Sequence, residues 1–212
     1  LVTSGIVIYR FSQPSVQMIT ANAEKGKRRE VMLSDGTIVT LNADSRLIYP
    51  KEFIGENRSV ELQGEAFFKV TRNPEKPFIV HTAAFETTVL GTSFNVSAYP
   101  GESNSVTVVT GKVKVADKDA EVILLPDQQA YKDPDGLLAM KNVSADDYTA
   151  WDEGVIYLKE TTLGELVKKL ERKYDIAIRT NPGISASNCR FNGKLVDDNL
   201  HNVLENLRFM SS

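Results

Sequence analysis

Few residues of this chain have types and spacing that could support catalysis. The sequence contains two histidines, His81 and His201, and the surrounding patterns place one at a strand end and the other in a helix, so a metal site or catalytic dyad would need a chance meeting. Glu61 and Glu65 share one side of a predicted strand, an arrangement that could serve as the paired carboxylates of a glycosidase, but surface acids often have this spacing. Cys189 has no basic cluster around it and is expected to be a half-buried, unreactive thiol.

Nucleotide-binding and hydrolase motifs are also missing from the sequence. No serine stands in a Gly-x-Ser-x-Gly turn, and residues 91–93 lack the Gly-Lys-Ser/Thr continuation of a phosphate-binding loop. One predicted helix has a basic side formed by Lys168, Lys169, Arg172 and Lys173. This side could dock an acidic partner, although such a stripe is more often a solvated face. The sequence therefore predicts no catalytic, metal or cofactor site, and these four side chains are candidates for binding a partner.

The composition is that of an ordinary soluble protein. The 212 residues are 42% hydrophobic and 25% charged, with a net charge of −3, and a chain of this length forms one large or two modest domains. Without a basic excess to neutralise phosphates, nucleic-acid binding is not expected. A single cysteine cannot form an intrachain disulfide, which fits a reducing compartment or an oxidising one in which the fold needs no disulfide.

The strongest strand signal lies in residues 58–70. Apolar and polar side chains alternate there, as in a strand with one buried face. Gly64 interrupts the apolar face, which predicts either one bent strand or two short ones. Phe67 breaks the alternation, which indicates that both faces of the strand are covered at that point.

Short strands separated by turn residues are predicted on both sides of this segment. Asp35-Gly36 predicts a hairpin between residues 31–33 and 38–41, and Pro50 ends the next strand. The further predicted strands cover residues 78–81, 85–90, 94–98, 105–110, 112–116, 122–125 and 128–131. Repeated short strands without a helical period predict a sandwich or jelly roll.

The pattern changes near residue 142. Residues 144–148 resemble a short capped helical turn, and residues 155–158 are a predicted strand. Thr162 and Glu165 have the spacing of a capping box, which predicts the start of a helix. The apolar side of that helix would carry Leu163, Leu166, Val167, Leu170 and Tyr174.

Two more strands and a second helix are predicted near the C-terminus. The strands cover residues 175–179 and 189–195, and an amphipathic helix follows Asp197 and Asp198, which place acid at its N-terminus. The resulting order is β-α-β-β-α. Because a return strand would normally cover the last helix, this region is expected to be incomplete at its C-terminus.

The N-terminal residues allow two interpretations. Residues 5–9 are apolar and Arg10 follows them, so the stretch could be a first strand or the end of a membrane helix. Residues 11–26 are polar and aperiodic and are predicted to be a connector.

Several blocks of the sequence resemble a FecR-type regulator domain. They read LSDGT and LNADSRL within residues 33–47, RSVELQGEAFFKV at 58–70, PFIVHT at 77–82, VLGTSFNV at 89–96, GKV at 111–113 and LPDQQA at 125–130. The last block departs from the family, which more often has Pro-Gly-Gln there. Residues 148–207 resemble the small STN-like domain that follows in Bacteroidetes members.

The resemblance implies an anti-sigma regulator of cell-surface signalling and not an enzyme. Such proteins have a cytoplasmic sigma-binding segment, one membrane helix, and this pair of domains in the periplasm. The implied partners are the signalling domain of a TonB-dependent outer-membrane receptor and an extracytoplasmic-function sigma factor, with no cofactor. Residues 1–9 would then be the end of the membrane helix of a single-pass inner-membrane protein.

The predicted fold class is mainly β followed by α+β. A membrane-proximal segment and connector would cover residues 1–24. A jelly-roll-like antiparallel β-sandwich of the FecR type would cover residues 25–142, and a partial β-α-β-β-α STN-like domain would cover residues 143–212.

The alternative function is direct sensing of a carbohydrate or other ligand by a periplasmic jelly-roll module. Tyr49, Tyr99, Tyr131 and Trp151 are the aromatic side chains that could stack on a sugar. A concave face with two or more exposed aromatic rings would favour this alternative, and a plain convex polar sheet would favour the signalling function.

Overall fold

The computed structural model describes residues 16–133, 135–180, 189–196 and 199–210. The predicted membrane-helix end at residues 1–9 lies outside the described residues, as do Asp197 and Asp198. In the described ranges, no helix has the length and apolar character needed to cross a membrane.

In the described part of the chain, thirteen strands form a large sheet that folds into two layers. The strands are β1 (Met18–Ala23), β2 (Arg29–Met32), β3 (Ile38–Leu41), β4 (Ser45–Pro50), β5 (Arg58–Lys69), β6 (Phe78–His81), β7 (Glu86–Val89), β8 (Ser93–Ala98), β9 (Ser105–Thr110), β10 (Val113–Ala116), β11 (Glu121–Leu124), β12 (Gln128–Lys132) and β13 (Leu138–Asn142). The first layer has the order β1-β4-β5-β6-β7-β10-β11, and the second has the order β2-β3-β5-β8-β9-β12-β13. The hairpin predicted at Asp35-Gly36 is confirmed as β2 and β3.

β5 is a single bent strand that both layers share. Its first half pairs with β4 and β6, and its second half, from Gly64 onward, pairs with β3 and β8. Gly64 has a φ of +99°, and a Cβ atom there would lie 2.7 Å from the Cα atom of Ser45. Because only glycine tolerates this approach, the bent strand is the correct one of the two sequence interpretations.

The sequence predicted a wholly antiparallel sandwich, and one pair of strands shows that this prediction is wrong. β5 and β6 run parallel, with Arg58 beside Phe78. The bend in β5 brings its end back towards its start, since Arg58 Nη1 donates to the carbonyl oxygen of Thr71 at 2.8 Å. A short link can therefore start β6 next to the first residues of β5 and in the same direction.

The two layers enclose one apolar core. β5 contributes to it from both halves, with Val60 and Leu62 in the first and Phe68 in the second. The Phe68 ring lies 6.2 Å from Phe78 of the first layer and stacks on Phe94 of the second at 5.1 Å between centroids. Full burial of one such side chain contributes about 1.5–3 kcal/mol.

The prediction that residues 11–26 are a connector is wrong for the part that forms β1. Residues 18–23 form a strand that pairs with β4 along its whole length. The residues that β1 turns towards the core are small, Ala21 and Ala23. Alanine is a poor strand signal, which is why the alternation in this segment did not predict a strand.

After β13 the chain forms a smaller β-α unit, here called the C-terminal unit. It consists of α1 (Ala145–Thr149), a 3-10 turn (Ala150–Glu153), β14 (Val155–Thr162), α2 (Leu163–Tyr174), β15 (Arg190–Val196) and α3 (Leu200–Met210). β14 and β15 are antiparallel. The unit has an apolar core of its own, formed by Ile156, Leu158, Leu166, Leu170, Leu195 and Val203.

The prediction of a strand at residues 175–179 is wrong. The chain there closes the C-terminal end of α2, because the amide of Ile176 donates to Glu171 O at 3.3 Å and the amide of Ile178 donates to Glu171 Oε1 at 2.8 Å. Amides that are bonded to the helix cannot also pair with a neighbouring strand. From β14 onward, the described elements have the order β-α-β-α instead of β-α-β-β-α.

The capping box at the start of α2 is confirmed. Thr162 Oγ1 accepts from the amide of Glu165 at 3.2 Å, and Glu165 Oε2 accepts from the amide of Thr162 at 2.8 Å. We expect Thr162→Ala to lower the free energy of unfolding by about 1 kcal/mol, because one amide of the first turn loses its acceptor. Urea denaturation measures this, and Thr162→Ser, which keeps the oxygen, is the control. Equal losses in both variants would contradict a capping role.

Candidate functional site

A cleft of about 590 Å³ separates the outer face of the second layer from the C-terminal unit. Residues of β5, β8, β9, β12 and β13 form its floor, and residues of α1, β14 and α2 form its walls. Pockets that bind small molecules typically have volumes of about 300–1,000 Å³. The cleft is therefore large enough to hold a ligand.

The floor of the cleft is a polar outer face that the C-terminal unit covers. One row of paired residues crosses the strands in the order Phe67, Asn95, Thr107, Gln129 and Lys141. Its three central members are only 3%, 1% and 2% exposed. Outward-facing polar residues of an antiparallel sheet usually meet water; burial here indicates that this face is an internal contact surface.

Glu65 is the centre of a hydrogen-bond network on this floor. Its Oε2 accepts from Asn42 Nδ2 at 2.8 Å, and its Oε1 accepts from Asn95 Nδ2 at 3.0 Å. Asn95 Oδ1 accepts in turn from the indole Nε1 of Trp151 at 3.2 Å. A carboxylate on β5 thus fixes the position of the one tryptophan in the sequence.

A second set of contacts, here called the arginine contact, joins α2 to the large sheet. The Arg172 guanidinium donates two hydrogen bonds to the Glu102 carboxylate and lies 3.8 Å from the centroid of the Tyr99 ring. The carbonyl oxygen of Arg172 also accepts from the amide of Gly26 at 2.7 Å. Burial raises the pKa of the Tyr99 hydroxyl above its usual range, so this group stays protonated and donates to Ala43 O at 2.7 Å.

Three lysines that line the cleft, Lys141, Lys159 and Lys169, have no carboxylate partner among the described residues. Lys141 Nζ lies 4.6 Å from the centroid of the Tyr131 ring, and Lys159 lines the opposite wall. Burial lowers the pKa of Lys141, and the positive charge of Lys159 lowers it further. The cleft therefore contains positive charge that the described side chains do not neutralise by direct contact.

Comparisons with known proteins identify the family. Residues 19–114 match the family model described as FecR protein, and residues 155–212 match the model described as FecR, C-terminal. Two crystal structures of a protein described as an anti-sigma factor from Parabacteroides distasonis ATCC 8503, at 1.65 and 2.50 Å resolution, each share 36% identity with this chain. They cover 90% and 91% of this chain and 91% of their own, with TM-scores of 0.86 and 0.87. The chain belongs to the FecR family of anti-sigma factors.

Membership of the FecR family confirms the resemblance that the sequence blocks indicated. It makes this protein a non-enzymatic regulator of sigma-factor activity, and it implies an interaction with a sigma factor. A search of curated proteins gave no significant match.

The four basic residues that the sequence named as partner-binding candidates all lie on α2 of this FecR-type protein, and three of them contact the rest of the chain. Arg172 forms the arginine contact, Lys168 Nζ donates to a carbonyl of the β8–β9 loop at 3.0 Å, and Lys173 Nζ donates to Gly154 O. Lys169 lines the cleft. Their role in binding a partner stays a prediction.

Three of the four aromatic side chains considered for sugar stacking line the cleft. Tyr131 and Trp151 are partly exposed there, whereas Tyr99 is buried under Arg172. Tyr49 lies away from the cleft and packs against the core of the large sheet. The cleft is concave, but its two accessible aromatic rings are only partly exposed, so the condition that would favour ligand binding is met in part.

Sequence reasoning did not assign three further aromatic residues, Tyr148, Tyr157 and Tyr174, to the cleft that they line. Tyr148 of α1 and Tyr157 of β14 line it and meet edge to face, with 5.7 Å between ring centroids. Neither Tyr148 nor Tyr157 stands in a motif. Both reach the cleft because the C-terminal unit packs on the sheet. No local pattern in the sequence signals that packing.

The residues first considered for catalysis lie apart from the cleft. His81 ends β6, with its Nδ1 3.6 Å from Glu86 Oε2, and His201 lies in α3. Within the described ranges, no group of three or more potential metal-ligating side chains occurs. Cys189 is exposed, not half-buried as expected, because it precedes the paired residues of β15.

The arginine contact gives a testable coupling energy in this anti-sigma factor. We expect a double-mutant cycle of Arg172→Ala and Glu102→Ala to give about 1–3 kcal/mol, because the two-bond pair is largely shielded from water. The free energies of unfolding of the four proteins in urea measure it. The exposed pair Lys114–Glu121, with 3.6 Å between Nζ and Oε2, is the control cycle and should give less than about 0.5 kcal/mol. Equal coupling in the two cycles would contradict a specific contact.

Proposed function

We propose that this chain is the periplasmic region of a single-pass inner-membrane anti-sigma regulator. It receives a signal from a TonB-dependent outer-membrane receptor and controls an extracytoplasmic-function sigma factor. The observation that supports the proposal is the presence of both FecR family matches, in order, on a chain whose described part has two separate apolar cores. Family membership supplies the sigma-factor regulation, and the receptor and the location are the proposed additions.

The same proposal divides the chain into functional parts. Residues 1–24 are a membrane-proximal segment and connector, of which β1 joins the large sheet. Residues 25–142 are a FecR-type sandwich of the jelly-roll type, and residues 143–212 are an STN-like domain. The change between the two apolar cores after β13 supports the second boundary.

The receptor's signalling domain docks on the C-terminal unit in this proposal. β14 and β15 pair with each other and with no other strand in the described ranges, so each offers an edge to which a partner can add a strand. Lys168 and Lys169, on the basic side of α2, would contact acidic residues of the partner. This is recognition between surfaces and involves no bond-making chemistry.

Docking can change the output only if the receptor binds two arrangements of the chain with different affinity. The contacts available to differ are those that hold the C-terminal unit on the large sheet. They include the arginine contact and the hydrogen bonds from Glu65 through Asn95 to Trp151. A receptor that displaces the C-terminal unit would break both sets.

Titration calorimetry of the chain against the signalling domain of its cognate receptor tests the proposal. We expect saturable binding with a dissociation constant in the micromolar range, about −8 kcal/mol. No heat at high micromolar concentrations of both proteins would contradict it.

Charge reversal on α2 tests the docking face. Lys168→Glu with Lys169→Glu should weaken receptor binding at least about tenfold, because like charges placed across an interface cost free energy. Lys112→Glu with Lys118→Glu makes the same charge change on exposed residues at the two ends of β10 and should leave the affinity unchanged. Equal weakening by both pairs would show that only net charge matters and would remove this face from the proposal.

A further inference from the structure

The cleft carries chemistry that sigma-factor regulation does not use. It combines partly exposed aromatic rings, polar side chains in register and positive charge without a carboxylate partner among the described residues. We propose that the cleft binds an acidic saccharide, a sugar that carries a carboxylate. This inference stands apart from the receptor proposal, because it concerns a small ligand and not a protein partner.

The side chains of the cleft are held in place by the protein itself. Trp151 is fixed by Asn95, which is fixed by Glu65, and Gln129 Nε2 donates to Thr107 Oγ1 at 2.7 Å. Preorganised groups lose little conformational entropy when a ligand binds. The site is therefore built before the ligand arrives.

A row of hydrogen-bonding groups crosses the floor of the cleft. Glu65 lies beside Ser97, Ser97 beside Ser105, and Ser105 beside Tyr131, on four neighbouring strands. All four side chains line the cleft. Adjacent strands lie about 4.8 Å apart, and this spacing suits the hydroxyl groups distributed along a sugar ring or along two linked rings.

The aromatic side chains supply the apolar contact that a sugar needs. Tyr131 and Trp151 are partly exposed in the cleft, and so is Tyr157 on the opposite wall. Aromatic rings offer a large apolar surface beside a polar tip. A saccharide has the matching character, with C–H groups on its ring faces and hydroxyls around its edge.

Lys141 and Lys159 indicate that the ligand is negatively charged. Both line the cleft, and neither has a carboxylate partner among the described residues. Two ammonium groups that line one cleft both attract an anion placed between them. A neutral sugar would leave this charge uncompensated, so the geometry favours a carboxylated one.

The test uses the whole chain with two acidic disaccharides, digalacturonic acid and cellobiouronic acid, and their neutral counterparts, digalactose and cellobiose. Fluorescence of Trp151, the only tryptophan, and calorimetry report binding. We expect an acidic disaccharide to change the emission saturably and to bind at least about tenfold more tightly than its neutral counterpart. No saturable change up to about 10 mM of any sugar, or equal affinity for acidic and neutral sugars, would overturn the proposal.

Variants locate the site. Lys141→Gln and Tyr131→Ala should each weaken binding of the acidic disaccharide at least about fivefold, whereas Lys112→Gln, outside the cleft, should leave it unchanged. Unfolding midpoints in urea show that each variant is folded. Unchanged affinity in Lys141→Gln, or binding of an acidic peptide or inorganic phosphate as tight as that of the sugar, would overturn the assignment. Failure here would leave the receptor titration unaffected.

Discussion

Gly64→Ala should lower the free energy of unfolding by about 2–5 kcal/mol, because two costs add. The residue has a φ of +99°, which costs a residue with a Cβ atom about 1–2 kcal/mol. The new methyl group would also lie 2.7 Å from the Cα atom of Ser45, and such overpacking costs about 1–3 kcal/mol. Ser45 cannot retreat easily, since its Oγ accepts from the amide of Glu65 at 2.9 Å.

Gly55→Ala is the matched control for this substitution. Gly55 has a similar φ of +93°, but nothing lies within 4 Å of a Cβ atom built there. It should therefore lose only the backbone cost of about 1–2 kcal/mol. Urea denaturation of both variants separates the two costs, and equal losses would show that the approach of β4 to β5 is not tight.

Arg58→Ala should lower the free energy of unfolding by about 3–5 kcal/mol, because it breaks a buried ion pair. Arg58 is 2% exposed, and its Nη1 donates to Asp35 Oδ2 at 2.7 Å and to Thr71 O at 2.8 Å. Its Nε donates to Lys76 O at 2.8 Å, and the guanidinium lies 5.4 Å from the centroid of the Phe78 ring. Removing it leaves the Asp35 carboxylate without its cationic partner and takes one donor from each of two carbonyl oxygens.

Arg46→Ala makes the same change at an exposed position of β4 and should alter stability by less than about 0.5 kcal/mol. Arg58→Lys keeps the charge but loses the planar fork of donors, so most of the destabilisation should remain. Full stability in Arg58→Lys would mean that charge alone matters at this site, contrary to the hydrogen-bond geometry.

Features that depend on neighbours in sequence were predictable. The alternation around Gly64, the Asp35-Gly36 hairpin and the capping box from Thr162 to Glu165 are set by side-chain direction and local hydrogen bonds. These features appear where the sequence placed them.

Features that depend on distant partners were not predictable. β1 and β13 were missed because each carries a weak alternation of apolar and polar residues. The parallel β5–β6 pair follows from a bend whose effect on register appears only in three dimensions.

The cleft was missed for the same reason. Arg172 reads as one member of a solvated basic stripe, yet its carboxylate partner lies 70 positions away. Asn95 and Gln129 read as solvent-facing strand residues, and only the packing of the C-terminal unit makes them buried. A single sequence gives no signal for contacts of this range.

The continuity of β5 has a mechanical consequence. Two stacked sheets that meet only through side chains can slide past each other by small steps, as in shear motions. Here one covalent backbone passes from the first layer into the second, so a pull on either layer is transmitted along the chain itself. The two layers of the large sheet should therefore move together as one rigid body. Relative movement should be concentrated at the contact between the large sheet and the C-terminal unit.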